Sequence, residues 1–176
     1  MNAIKDSIKS GRTVVGTAGA PNVDVSMLAD AGFDFLPFDT QHSPWEIKQL
    51  QPSIQAMRGK QAAPLVRVTG NHADQICFAL DAGARGIIVP MVNTRAEAEA
   101  VVRACRYYPL GNHSNAGVRG EWGEFKDYRD YLVAGESRCH RLGPGRRRHA
   151  DRPVRPFDRA GGAARLPVRH LSASAR

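Results

Sequence analysis

An acid, an amide and an imidazole follow one another where an apolar run stops. FDFLPFDTQH (33–42) starts as a strand-like segment and ends in Asp39, Gln41 and His42. Arg67 lies at the end of a second such run, APLVRV (63–68), and Pro90-Met91-Val92-Asn93 ends a third, GIIVPMV (86–92). Asp81 lies late in the segment between them, HADQICFALDAG (72–83). Taken singly, each residue has an ordinary reading. His42 would be a polar loop residue, Arg67 a strand-end charge with a buried stem, Asp81 a helix C-terminal residue and Asp39 a cap for the next turn. Together they suit a different purpose. An acid, a base and a cation at adjacent strand ends can remove a proton next to a carbonyl group.

The elements that must position these groups alternate. TVVGTAG (13–19), FDFLPFD (33–39), APLVRV (63–68) and GIIVPMV (86–92) read as strands. VDVSMLADAG (23–32), PWEIKQLQPSIQAMRG (44–59), HADQICFALDAG (72–83) and TRAEAEAVVRACRY (94–107) read as helices. Ser43 with Pro44 and Glu46 predicts a helix start at residue 44, and Thr94 with Glu97 predicts a capping box. Helix 72–83 is expected to turn Ile76, Phe78, Ala79 and Leu80 inward. Strands that are apolar throughout are buried on both faces, as in a parallel sheet. The β-α alternation therefore predicts an α/β fold, either a (β/α) barrel or a doubly wound sheet. No G-x-G-x-x-G or P-loop follows any strand, so nucleotide binding has no support. A long Gly- and Asn-rich loop (109–125) and one more helix (127–137) complete this part. Trp45 and the Tyr107-Tyr108 pair read as packing residues.

The chain has 176 residues, 42% of them hydrophobic, enough for one sizeable core. No apolar run reaches the roughly eighteen residues of a membrane span, and the N-terminus has no signal-peptide core, so a soluble cytoplasmic protein is expected. Cys77, Cys105 and Cys139 fit neither a zinc pattern nor a disulfide framework and are expected to be reduced thiols. The net charge of +8 is localised. Residues 1–137 carry 14 Lys and Arg against 15 Asp and Glu, whereas residues 138–176 carry 11 Arg, no Lys and 2 Asp. This Arg-, Pro- and Gly-rich tail is expected to be disordered.

The segments AGFDFLPFDTQHSPWEI, PLVRV, ALDAGARGIIVPMVNTRAEAEAVVRACRYYPLGN and GVRG, in this order, resemble the HpcH/HpaI aldolase family from about residue 13 to about 137. The resemblance implies a TIM (β/α)8 barrel, of which this chain would form the first four to five β-α units. It implies a class II, metal-dependent pyruvate aldolase acting on keto acids and aldehydes through a pyruvate enolate. The cofactor would be a divalent ion (Mg, Mn or Co), and the full-length family implies a homo-oligomer. By position, His42 matches the catalytic base, Asp81 the acid that orients it, Asp39 the acid three residues before it, and Arg67 the group that binds the enolate oxygen.

The chain departs from the family pattern in several places. Gln41 replaces a Glu, and His113 replaces an Arg. The family's metal ligands, a Glu after the fifth strand and an Asp in a Gly-Pro-x-Asp-Leu-Ser motif, have no counterpart, so no metal ligand is assigned. A complete barrel needs about 250 residues. Codons for Cys139–Gly145 read one base later permit Val-Ile-Val-Leu-Ala-Gln-Val, so residues 138–176 are expected to be a tail read out of frame. The chain itself is expected to bind metal poorly and to be inactive. Two further readings belong to other classes. A basic-tailed nucleic-acid binder rests on charge alone, without Lys, stacking aromatics or a motif. A non-catalytic half-barrel would oligomerise through its unpaired edges.

Overall fold

The structure is a computed structural model and describes residues 3–115 and 125–138. Within them three parallel strands form a sheet in the order β1 (Phe35–Asp39), β2 (Ala63–Arg67) and β3 (Gly86–Ile88). The register pairs Phe35 with Ala63 and Asp39 with Arg67, then Val66 with Ile87. Parallel pairing demands a crossover between strands, and helices provide it: α3 (Leu50–Ala56) between β1 and β2, and α4 (Ala73–Asp81) between β2 and β3. α1 (Ala3–Lys9) and α2 (Val25–Ala29) precede the sheet; α5 (Arg95–Ala104) and α6 (Tyr128–Arg138) follow it. None of the described helices is long and apolar enough to cross a membrane.

The core lies between the sheet and these helices. Leu36 and Phe38 from β1 and Leu65 and Val66 from β2 are buried. Leu36, Phe38 and Val66 meet Leu50 and Ile54 from α3 and Ile76, Ala79 and Leu80 from α4. Trp45 packs edge-on against Phe38 at 5.5 Å and donates its indole N–H to the Gly19 carbonyl at 3.3 Å. It is therefore a packing residue. Tyr107 is buried as well, whereas Tyr108 is exposed.

Four local expectations are corrected. Residues 13–19 run beside β1 but form no strand of the sheet. Only an isolated bridge joins Gly16 to Phe35, supported by Thr17 N–H to the Phe35 carbonyl at 3.3 Å. Gly16 permits this approach, since a Cβ there would overlap the Phe35 ring and carbonyl oxygen. The helix expected from Pro44 starts later, with a 3-10 turn over Ile47–Gln49 and α3 from Leu50. Pro52 explains the delay: it lacks an N–H and clashes with the carbonyl four residues back, so an α-helix can hold it only in the first turn. Phe78 faces outward, 43% exposed, with the Lys48 ammonium 5.2 Å from its ring centre. Finally, the strand expected over 86–92 is paired only over Gly86–Ile88, so Pro90 to Asn93 lie beyond its end.

Other expectations hold. Thr94 and Glu97 form the full capping box at the start of α5. Gly32, Gly59 and Gly83 have positive φ where helices were expected to stop. Met91, just past β3, also has a positive φ of 57° although it has a side chain, and it is 79% exposed. The Arg-rich tail beyond residue 138 lies outside the described residues.

Candidate active site

β1 and β2 end side by side, so their last residues, Asp39 and Arg67, are direct register partners. Arg67 Nε donates to Asp39 Oδ1 at 2.8 Å, and Nη2 donates to Oδ2, giving a bidentate fork. Asp39 Oδ1 also accepts the backbone N–H groups of Gln41 at 2.9 Å and His42 at 3.3 Å. One carboxylate thus fixes both the guanidinium and the turn that carries His42. The Arg67 hydrogen bonds, helped by those backbone donors, hold the Asp39 carboxyl far below the usual carboxylate range against the opposing effect of burial. The Asp39 contact raises the Arg67 pKa in turn. The shift favours the ionised form of Asp39, the form that holds Arg67.

The rest of the strand mouth is tied to the same two residues. Thr40 donates its N–H and its hydroxyl to the Arg67 carbonyl, at 2.9 and 2.8 Å. Ser43 donates its hydroxyl to the Asp39 carbonyl instead of capping a helix. His42 is exposed at the end of this turn. Asn93, beyond the end of β3, donates its backbone N–H to Glu97 Oε2 at 2.7 Å and its side-chain amide to the Met91 carbonyl at 3.0 Å.

Asp81 is the last residue of α4. α4 leaves the C-terminal end of β2 and returns the chain to the N-terminal end of β3. Its nine residues span about 13 Å at about 1.5 Å each. The structure brings Asp39, His42 and Arg67 together at the C-terminal ends of β1 and β2. The described neighbours of Asp81 are Cys77, whose thiol lies 3.8 Å from Oδ2, and His113, whose Nε2 lies 3.6 Å from Oδ1. His113 is carried on a tight turn after α5. Its N–H donates to the Arg106 carbonyl at 2.8 Å, and its ring packs edge-on against Tyr107 at 4.9 Å. Gly111 shapes this turn, since a Cβ there would collide with the carbonyl oxygens of Arg103 and Arg106.

Sequence reading missed the grouping of Cys77 with Asp81 and His113. One signal was available: residues four apart on a helix share a face, which pairs Cys77 with Asp81. The position of His113 depends on a turn with no such periodicity.

The divalent ion implied by the resemblance does not fit the strand mouth as described. Asp39 is bound by Arg67, and no third ligating side chain joins Asp39 and His42 there among the described residues.

Residues 12–128 match the family model described as HpcH/HpaI aldolase/citrate lyase. The hydroxypyruvate/pyruvate aldolase of Roseovarius nubinhibens is 33% identical over 141 residues, covering 78% of this chain and 55% of its own. The 4-hydroxy-2-oxo-heptane-1,7-dioate aldolase of Klebsiella pneumoniae subsp. pneumoniae is 36% identical over 138 residues, covering 72% and 50%. A crystal structure of an HpcH/HpaI aldolase/citrate lyase family protein from Burkholderia cenocepacia superposes with a TM-score of 0.69 at 28% identity, over 79% of this chain and 57% of that one. The chain spans about half the length of the curated relatives it matches. With two thirds of its length inside the family model, and with its parallel strands superposing on a member, the chain belongs to the HpcH/HpaI aldolase/citrate lyase family.

Proposed function

We propose that the chain supplies the first part of a pyruvate-aldolase barrel, a carbon–carbon lyase for 4-hydroxy-2-keto acids. The observation that carries this reading is the Asp39–Arg67 fork at the strand ends, with His42 on the turn that Asp39 holds. Cleavage of such a substrate removes the proton of its C4 hydroxyl and breaks the C3–C4 bond. An aldehyde leaves, and the electron pair remains as the enolate of pyruvate. The enolate then takes a proton at C3. Arg67 suits the charge that develops: Asp39 occupies one side of the guanidinium, leaving the other N–H donors for an anionic oxygen. His42, exposed at the mouth, is the base for the hydroxyl proton and its later donor. The family's divalent ion is not held by these strand-mouth residues. Its ligands are expected from the half of the barrel this chain does not match, together with the homo-oligomeric assembly.

The test joins residues 1–137 to the C-terminal half of the Roseovarius nubinhibens enzyme and measures pyruvate release from 4-hydroxy-2-keto acids with magnesium, manganese or cobalt. The chimera is expected to turn over, and the 176-residue chain alone is not. His42→Ala and Arg67→Ala should each lower kcat by about 100-fold or more. Full activity in both variants would overturn the assignment.

A further inference from the structure

On α4 and the turn that follows α5, Cys77, Asp81 and His113 each offer one ligand atom, all within 4.8 Å of one another. We propose that this trio is a binding site for a borderline-soft divalent ion of the zinc type. The argument begins with His113. Its side chain is only 2% exposed, and neither ring nitrogen has a hydrogen-bond partner among the described residues. The Asp81 oxygen at 3.6 Å is too far to serve as one. A buried imidazole without a partner is costly, whereas a metal–nitrogen bond would satisfy it. The separations suit an ion. Tetrahedral zinc, with bonds of about 2.3 Å to sulfur and about 2.0–2.1 Å to nitrogen and oxygen, keeps its ligand atoms about 3.3–3.8 Å apart. Cys77 Sγ is 3.8 Å from Asp81 Oδ2 and His113 Nε2 is 3.6 Å from Asp81 Oδ1, and with one atom from each residue no separation exceeds 4.8 Å, so a small inward adjustment would close the set on an ion.

The scaffold arranges the ligands in advance. Cys77 and Asp81 are one helical turn apart on α4. His113 is fixed by its backbone bridge to Tyr107 and the edge-on contact with that ring. Ser114 Oγ lies 3.8 Å from the Cys77 sulfur, a further oxygen beside the trio. The donor set selects the metal class. A thiolate with an imidazole and a carboxylate favours zinc or cobalt over magnesium or calcium, which prefer oxygen alone. Binding displaces the thiol proton, and the thiolate and carboxylate together balance the ion's charge.

The test uses the full 176-residue chain, reduced and stripped with chelator, then titrated with Co2+. The expected result is one cobalt per chain, with a thiolate-to-cobalt charge-transfer band and intense visible absorption of a tetrahedral site. Zinc should abolish both, and magnesium should not. Cys77→Ser should remove the charge-transfer band, and His113→Gln should remove the tetrahedral absorption. The double variant Cys139→Ser/His140→Ala should retain everything, which separates this site from the tail. A second measurement needs no variant: X-ray absorption of the zinc-loaded chain should show one sulfur in the coordination shell. A shell of nitrogen and oxygen alone, a band that survives Cys77→Ser, or a band lost in the tail variant would overturn the proposal. Ligation is read directly, so the result is independent of the lyase reading.

Discussion

The Asp39 carboxylate and the Arg67 guanidinium close a two-pronged contact between adjacent residues of one register row, at the last position where β1 and β2 still pair. The paired strand ends bring the two side chains within reach of each other. That distinguishes it from the exposed Arg95–Glu99 pair on α5, which is held only by its own side chains.

A pH dependence of stability follows. The folded Asp39 carboxyl titrates below its unfolded value, so the contribution of the pair is complete above the unfolded pKa of about 3.9. It is lost as pH falls below that value towards the folded pKa. Urea melts of the wild type and Asp39→Asn should differ by about 1–2 kcal/mol near pH 7 and converge as pH drops below about 4. A gap that stays constant with acidification would show that the carboxylate charge is not what stabilises the strand ends.

Gly16 should resist even the smallest side chain. A methyl group there overlaps both the ring and the carbonyl oxygen of Phe35, so Gly16→Ala should cost about 1–3 kcal/mol in denaturant melts. Adding Phe35→Leu should recover part of this loss by clearing the ring. Simple additivity of the two substitutions would mean that the segment 13–19 shifts as a whole.

The start of α5 offers a conventional control. Thr94 Oγ1 accepts the Glu97 N–H at 3.2 Å, and Glu97 accepts the N–H groups of Asn93 and Thr94 at 2.7 and 2.9 Å. Thr94→Ala should destabilise by about 1 kcal/mol and Thr94→Ser by much less. Equal losses from both would point to the threonine methyl group and not to the cap.

Met91 is the one described residue other than glycine with a positive φ, immediately after β3. Left-handed backbone costs an ordinary residue about 1–2 kcal/mol. Met91→Gly should therefore leave Tm unchanged or raise it, while the β-branched Met91→Val should lower stability by about 1 kcal/mol beyond any loss from the exposed side chain. Thermal melts of the two variants decide the sign.

The parallel sheet was legible because its strands are short apolar runs and the helices between them carry their own caps and glycine stops. Thr94, Glu97 and Gly83 could be read from local rules alone. Pro52 was also visible, but the Ser43-Pro44-Glu46 start signal was stronger, and tertiary contacts turned Ser43 back to the Asp39 carbonyl. Asp39 and Arg67 could be named as strand-end residues, yet their direct pairing depends on register, which no spacing within one strand reveals. Asp81 shows the opposite difficulty. Its family position implied a role beside His42, and only the direction of α4 across the sheet places it next to Cys77 and His113.

Gly111 sets the tolerance of this second cluster. The turn after α5 closes so tightly on the Arg103 and Arg106 carbonyls that a single added carbon would push it outward, and His113 lies two residues further on. The imidazole's reach towards α4 is thus governed by a position that bears no side chain and would touch no ligand. Variation there would act as a ruler, lengthening the gap between His113 and the Cys77–Asp81 face while leaving every donor atom chemically intact.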